Sequence, residues 1–373
     1  MRQRRYTYHS LILGRSRVDL VVVTSRHGQN LDSVTDNLKC FFYNPSERPP
    51  IWCIRFWFHR IFMARKTPAE LRTLVTVARL LSARGILSTD SYSALADAEP
   101  YLGSVKLFWV QHGLFLDQRF DTLKRELESP DRSSSITLFA VSSYDINNYR
   151  RWGVRPAQTL PVGSLQNSYF LKNVQQNRKS PDSYDICLVE KGIKVHPDSE
   201  LGRMRKASWQ SFLGDFNEYC RTRDLRVIIA LNRSSEERET LEWLKTQLTH
   251  RFDTTQTDDE FSTYKAVDAS TLTIGQASTV LIEALCRERK ILGFNYTTLG
   301  YWDLPGSGIS HINSPTYELL CKRIDTLLPM SWDTYWSNTP KQLKDLTVDE
   351  PGDTIATINT VLRSDLKNKR STH

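Results

Sequence analysis

Short apolar runs alternate along this chain with longer stretches in which apolar residues recur every three or four positions. Val18-Asp19-Leu20-Val21-Val22-Val23 is a run of the first kind, followed by polar residues and Gly28. Between Pro68 and Ala83, the residues Leu71, Leu74, Val75, Val77, Ala78 and Leu81 share one broad helical face. Thr67 before Pro68 offers that helix an entrance, an N-cap hydroxyl followed by a proline at the first helical position. Strands are predicted at 86–88, 105–110 and 136–141, and a short helix at 145–152 that Gly153 and Pro156 stop. The polar stretch 172–183, with Pro181 in it, reads as a linker. Beyond it the alternation restarts, with strands at 185–189, 226–231, 270–274 and 290–294 and helices near 200–222, 236–250 and 278–288. Strands separated by helical spans imply parallel βαβ units. The expected fold class is α/β: two Rossmann-like, doubly wound domains facing a central cleft onto which the carboxyl ends of both sheets open. The expected division is 1–175 for a first Rossmann-like domain, 184–345 for a second and 346–373 for a C-terminal helix and tail.

Length and composition agree with that reading. A chain of 373 residues is too long for one ordinary core and suits two domains. With 39% hydrophobic and 25% charged residues it is neither disordered nor collagen-like. The net charge of +8 is placed unevenly: residues 1–90 hold 15 Lys/Arg against six acids, a net of +9, which leaves about −1 for the rest. A basic first quarter calls for an anionic partner, whether nucleic acid, acidic glycan or an anionic membrane surface. Nucleic acid ranks last, because neither an RNA-binding signature nor Cys/His finger spacing is present. Cys40, Cys53, Cys187, Cys220, Cys286 and Cys321 form no CxxC and read as reduced core residues of a cytosolic protein, not as a disulfide frame or a zinc site. No signal peptide and no transmembrane run is predicted. The aromatic string from Ile51 to Phe62, interrupted by Arg55, His59 and Arg60, is too short and too charged to span a bilayer. It suits a membrane interface or a core element flanked by charges. The expected location is therefore cytoplasmic, with peripheral contact to an anionic inner membrane face through residues 1–90.

The sharpest chemical feature runs from Asp268 to Leu285. A strand ends at Ile274, Gly275 permits a tight turn, and small residues lead into a helix beginning near Ser278. Small side chains let backbone approach a phosphate, and a helix amino end presents unpaired N–H groups with partial positive charge. Ser278 and Thr279 can add hydroxyl donors, and Glu283 can accept from ribose hydroxyls. The plainer alternative makes Ser278 or Thr279 an N-cap and Glu283 an exposed helix acid.

The string 268–284, followed by Lys290-Ile291-Leu292-Gly293-Phe294, resembles the donor-site region of GT-B glycosyltransferases, in which an Asp-containing strand, a Gly, a Ser/Thr pair and Glu-Ala-Leu precede a buried strand. Gln111-His112-Gly113, Tyr149-Arg150-Arg151-Trp152-Gly153-Val154, Val162-Gly163-Ser164 and Tyr184-Asp185-Ile186-Cys187-Leu188-Val189 are similar to segments of bacterial surface-carbohydrate enzymes, the O-antigen and capsule transferases, including the CMP-Kdo-dependent type. The resemblance spans about residues 100–330 and leaves the first 90 uncovered. It implies a nucleotide-sugar donor, a glycan or lipid-linked acceptor, and chemistry with no bound metal and no further cofactor.

His112 follows a buried strand and so falls at a sheet's carboxyl edge, where Gly113 lets a substrate come close. It can serve as a base on an acceptor hydroxyl, as an imidazolium against a donor phosphate or carboxylate, or as a structural strand-end histidine. Asp117 is a second candidate base, with a solvated loop acid as the alternative. Glu190, at the end of a strand, can contact donor ribose or acceptor hydroxyls, or remain a loop charge. The His-Pro pair of many CMP-sugar enzymes has no counterpart after 227–231, where Arg233 offers a phosphate-binding fork instead; His196-Pro197 lies one strand earlier and reads as an ordinary loop. Asp258-Asp259-Glu260 has no partner histidine and reads as a solvated loop. The function expected is a glycosyltransferase working on a surface polysaccharide. The alternatives are a CDP-glycerol-type polyol-phosphate transferase, whose Asp-Tyr-Ser-Ser motif Thr273-Ile274-Gly275-Gln276 does not supply, a nucleotide-sugar epimerase, and a binding module without catalysis.

Overall fold

A computed structural model of the chain describes residues 5–6, 17–23, 30–44, 54–63, 67–69, 71–89, 92–111, 113, 133–174, 183–190, 199–231, 237–255, 259–297, 299–306, 308–313, 316–347 and 354–367. The chain divides into two units. The first holds residues 1–113, 121–172 and 350–373, the second 114–120 and 173–349.

In the first unit the β-branched and apolar runs become β1 (Arg5–Tyr6), β2 (Leu20–Val23), β3 (Cys40–Tyr43), β4 (Gly85–Ser88), β5 (Lys106–Val110), β6 (Ser133–Ala140) and β7 (Arg155–Pro161). They pair in parallel in the order β1-β3-β2-β4-β5-β6-β7. Leu20, Val21, Val22, Ile86, Leu87 and Phe108 are all fully buried. That is why these strands read as unbroken apolar runs rather than alternating ones, since a parallel sheet is covered on both faces. The helices between them are α1 (Ile54–Met63), α2 (Arg72–Leu80), α3 (Tyr92–Leu102), α4 (Ser143–Arg151) and α5 (Leu165–Val174).

Two expectations shift here. The helix expected from Pro68 is observed from Arg72, and the Pro68 carbonyl accepts from the Leu71 and Arg72 N–H groups at 3.2 Å just ahead of it. The Thr67 hydroxyl is buried without a hydrogen-bond partner, so it does not cap that helix. The linker expected from residue 172 begins inside α5, and 175–182 lie outside the described residues.

The second unit carries β8 (Tyr184–Val189), β9 (Val227–Ala230), β10 (Phe252–Thr254), β11 (Ser270–Gly275), β12 (Lys290–Asn295) and β13 (His311–Asn313), again all parallel, in the order β10-β9-β8-β11-β12-β13. Counted from β8, that is the 3-2-1-4-5-6 order of a nucleotide-binding doubly wound sheet. Its helices are α6 (Glu200–Arg223), α7 (Glu237–Gln247), α8 (Ser262–Asp268), α9 (Thr279–Cys286), α10 (Tyr317–Leu327), α11 (Trp332–Asn338) and α12 (Lys341–Lys344). The short edge strands β10 and β13 escaped the sequence reading because three residues give no usable period. Asp268, expected within a strand, is the last residue of α8 at the amino-terminal foot of β11, where it pairs with Arg287 at 2.8 Å.

The chain ends in α13 (Thr354–Lys367), which joins the first unit. Ile355, Ile358, Leu362 and Leu366 pack with Leu20, Val22, Leu87, Phe108 and Phe139 in one core cluster, and the Thr354 hydroxyl donates to the Val162 carbonyl. Burial pushes the Cys40 and Cys187 thiols up to about 12, as suits unreactive core thiols. Ile358 is fully buried within this cluster. Ile358→Ala is expected to cost about 2–5 kcal/mol of first-unit stability by leaving a cavity. Scanning calorimetry should show that loss as a lower temperature for one of two transitions.

Candidate functional site

The second sheet reverses direction between β8 and β11: the chain leaves β8 toward β9 on one side and returns to lay down β11 on the other. Loops leaving the carboxyl ends of such a strand pair diverge, and a crevice opens between them. Val189 lies opposite Gly275 in register, so Glu190 and Gln276 are the first residues past the edge. Glu190 is buried, and its N–H donates to the Ala230 carbonyl at 3.0 Å. Gly275 is pressed so tightly that a Cβ there would stand 3.2 Å from the Val189 carbonyl oxygen and 3.3 Å from the Val189 Cβ.

Gln276 is 0% exposed, and both ends of its side chain are engaged. Oε1 accepts from Arg205 Nε at 3.2 Å, and Nε2 donates to the Ser208 hydroxyl at 3.2 Å. Ser208 also accepts from the Tyr296 N–H at 3.1 Å, while the Tyr296 hydroxyl donates to Asp215 at 2.8 Å. Arg205, Ser208 and Asp215 all belong to α6, whereas Gln276 and Tyr296 begin the loops after β11 and β12. The buried carboxamide therefore fastens the loop after β11 to α6, Ser208 and Asp215 fasten the loop after β12 to the same helix, and the Arg205 guanidinium is brought to the loop that enters α9.

That loop is tight. Ala277 has φ +28°, inside the left-handed region that a residue with a Cβ rarely adopts. Ser278 takes the extended N-cap conformation of α9, yet its hydroxyl makes no capping bond and the residue is only 6% exposed; Thr279 is half-buried. Glu283 lies inside. It is 3% exposed, and its Oε2 accepts from the Tyr264 hydroxyl at 2.7 Å. The Arg287 guanidinium stacks on Tyr264 at 4.9 Å and donates to the Glu283 carbonyl. Burial first, then the Glu283 charge, drives the Tyr264 hydroxyl well above its ordinary pKa and keeps it a hydrogen-bond donor.

The loop after β12 has its own frame. Asn295 Nδ2 donates to the Leu299 carbonyl and to Asp303 Oδ1, both at 2.7 Å, and its Oδ1 accepts from Thr297. Asp303 also accepts from Asn313 and from Nε2 of the buried His311 at 3.1 Å. Burial works against the Asp303 carboxylate, but the hydrogen bonds from His311 and Asn295 outweigh it and hold its pKa below the usual carboxylate value.

In the first unit the comparable edge carries Gln111, 1% exposed and directly after β5. Its Oε1 accepts from Val141 N–H at 3.1 Å and its Nε2 donates to the Gly113 carbonyl at 2.8 Å, which fastens the backbone on both sides of position 112 to the end of β6. Gly163, with φ +88°, follows β7 and donates its N–H to the Val141 carbonyl. His112, Asp117, Arg233 and His196-Pro197 lie outside the described residues. Asp259, from the acidic run, accepts from the Phe261 N–H and pairs with Lys265 at 2.6 Å.

Gly275, Ser278, Thr279 and Glu190 are thus brought to one sheet edge, and Glu283 is buried behind it against Tyr264. Sequence reasoning missed Arg205, Ser208, Gln276, Asn295 and Asp303. The available signal was the lone Gln directly after a strand-ending Gly, and the four-residue spacing from Asn295 to Leu299 gave none.

Two Rossmann-like units with parallel sheets and flanking helices define the GT-B fold. Solved structures share it. The UDP-GlcNAc 2-epimerase of Methanocaldococcus jannaschii is 14% identical, with 92% of this chain and 99% of that one covered and a TM-score of 0.57. A glycosyltransferase from Rickettsia africae is 11% identical over 94% and 99%, with a TM-score of 0.52. The wall teichoic acid polymerase TagF is 12% identical over 98% and 92%, with a TM-score of 0.53. At these identities the likeness is one of fold. No family model matches this sequence, and no curated protein is similar to it in sequence.

Gln276→Leu keeps the volume but removes the hydrogen bonds to Arg205 and Ser208. Losing buried hydrogen bonds of this kind costs about 1–3 kcal/mol, so the variant is expected to melt measurably lower, whereas Gln276→Glu should retain the Arg205 contact. For Asp303 the sign is fixed by its lowered pKa: its contribution is present above roughly pH 4, the unfolded carboxylate value, and is lost as pH falls through the folded one. Asp303→Asn should therefore flatten the acid-side fall of Tm, as followed by circular dichroism.

Proposed function

We propose that this protein is a glycosyltransferase that takes a sugar from a nucleotide-sugar donor and passes it to a growing surface polysaccharide or lipid-linked glycan. The reading is carried by one observation: at the reversal point of the second sheet, the amino end of α9 and the Arg205 guanidinium are held to one loop by the buried Gln276 carboxamide. Breaking a glycosyl–phosphate bond leaves charge on the departing phosphate. A helix amino end and a guanidinium are the groups that stabilise such charge without a metal. Gly275 and Ala277 supply the close backbone approach, Thr279 a hydroxyl beside it, and Glu190 a carboxylate for sugar or ribose hydroxyls. Arg233 is a second candidate cation.

In this account Glu283 acts through Tyr264 and Arg287 as a positioning residue for α9. The acceptor hydroxyl is activated by His112, whose backbone neighbours the Gln111 clamp fixes, with Asp117 as the reserve base. Support for a transferase over a binding module comes from the two glutamine clamps, since tying down the strand-edge loops matters most where reacting groups must be positioned.

The test is donor turnover by the full chain with a membrane glycolipid extract as acceptor. His112→Ala is expected to lower kcat by about 10²-fold or more while leaving donor affinity within about twofold. Arg205→Ala is expected to raise the donor KM about tenfold or more. Unchanged turnover in His112→Ala excludes it as the base. Release of an isomerised nucleotide sugar without any acceptor would replace the transferase by an epimerase.

A further inference from the structure

Helix α1 (Ile54–Met63) carries apolar residues on two opposite sides. Phe56 is fully buried and makes an edge contact with Trp57 at 5.4 Å, on the side where α1 packs against α2. Phe58 and Ile61, one helical turn apart, are each 72% exposed. Among the described residues they are the two most exposed large apolar side chains. Water-soluble helices place polar residues at such positions, and an outward Phe–Ile pair marks a contact surface.

The surrounding charge names the partner. Glu47 and Glu70 bracket a segment that contains Arg48, Arg55, Arg60, Arg65 and Lys66 and no acid. His59 is exposed beside Phe58, and the Arg60 guanidinium lies over the Trp57 ring at 5.4 Å. Aromatic and aliphatic residues set among cations fit the boundary between acyl chains and anionic headgroups. A second copy of the chain fits poorly, because the segment between Glu47 and Glu70 holds cations and no acid, so its sequence offers no charge complement to itself. No described helix is long and apolar enough to cross a membrane, so the contact is one of lying on the surface.

We infer that α1 is a docking helix for an anionic lipid bilayer, with Phe58 and Ile61 entering the acyl boundary and the neighbouring cations meeting the headgroups. This inference stands apart from the transferase reading, since bilayer contact requires neither donor nor acceptor.

The test is co-sedimentation of the full chain with sucrose-loaded vesicles, one set of phosphatidylcholine alone and one with about a third phosphatidylglycerol. The chain is expected to pellet with the anionic set and to stay in solution with the neutral one, and the binding should weaken as salt is raised. Phe58→Glu with Ile61→Glu should lower the partition coefficient at least about tenfold and leave Tm unchanged, since both positions face solvent. Phe58→Leu with Ile61→Leu should retain binding. The inference is overturned if the parent chain stays in solution with anionic vesicles, or if the double-glutamate variant pellets equally well. It is likewise overturned if ultracentrifugation shows those two residues holding a dimer while vesicles capture nothing.

Discussion

The architecture of the candidate site turns on the side chain of Gln276. A primary amide buried without partners would lose the hydration of two donors and an acceptor, a penalty of several kcal/mol. Here Arg205 and Ser208 on α6 absorb it, and Ser208 in turn holds the Tyr296 amide. The loops after β11 and β12 are consequently fixed to the same helix. Directly after this anchor the backbone takes the strained Ala277 conformation and then the extended one of Ser278. Loops fixed in this way need no further ordering when a ligand arrives.

The first unit uses the same device. Gln111 directly follows β5 as Gln276 directly follows β11, and each carboxamide ties its own loop to a neighbouring element. In both places the side chain replaces hydrogen bonds that the sheet ladder can no longer supply past its edge. The Gln111 clamp reaches forward to the Gly113 carbonyl and across to the Val141 N–H. α13 closes this unit from a distance in sequence, with Thr354 fastened to Val162 beside the Gly163 turn.

The sheet interiors were legible in the sequence because strands buried on both faces must be apolar throughout: 18–23, 185–189 and 270–274 each contain an observed strand, to within one or two residues at their ends. The helix at 200–222 was equally plain from its period. Burial of a polar side chain leaves no such trace. Glu283 reads as a surface helix acid or a ribose partner, and only the approach of Tyr264, nineteen residues earlier, shows it turned inward. Arg205 sits among several other cations of α6, and nothing but the tertiary path of Gln276 singles it out. The C-terminal helix was expected, but an amphipathic stripe does not say which core it covers; its apolar face completes the first unit.

The central claim is that the edge around Gln276 receives a nucleotide-linked sugar. The measurement that reaches it most directly is a thermal-shift panel of the full chain against CMP-, CDP-, UDP- and GDP-linked sugars. A ligand present at about a hundred times its Kd stabilises the folded state by about 2.7 kcal/mol, which in a domain of this size raises Tm by about 5–10 °C. The account predicts a rise of that order with one nucleotide class and a far smaller one with the others. A flat response across the whole panel would contradict it.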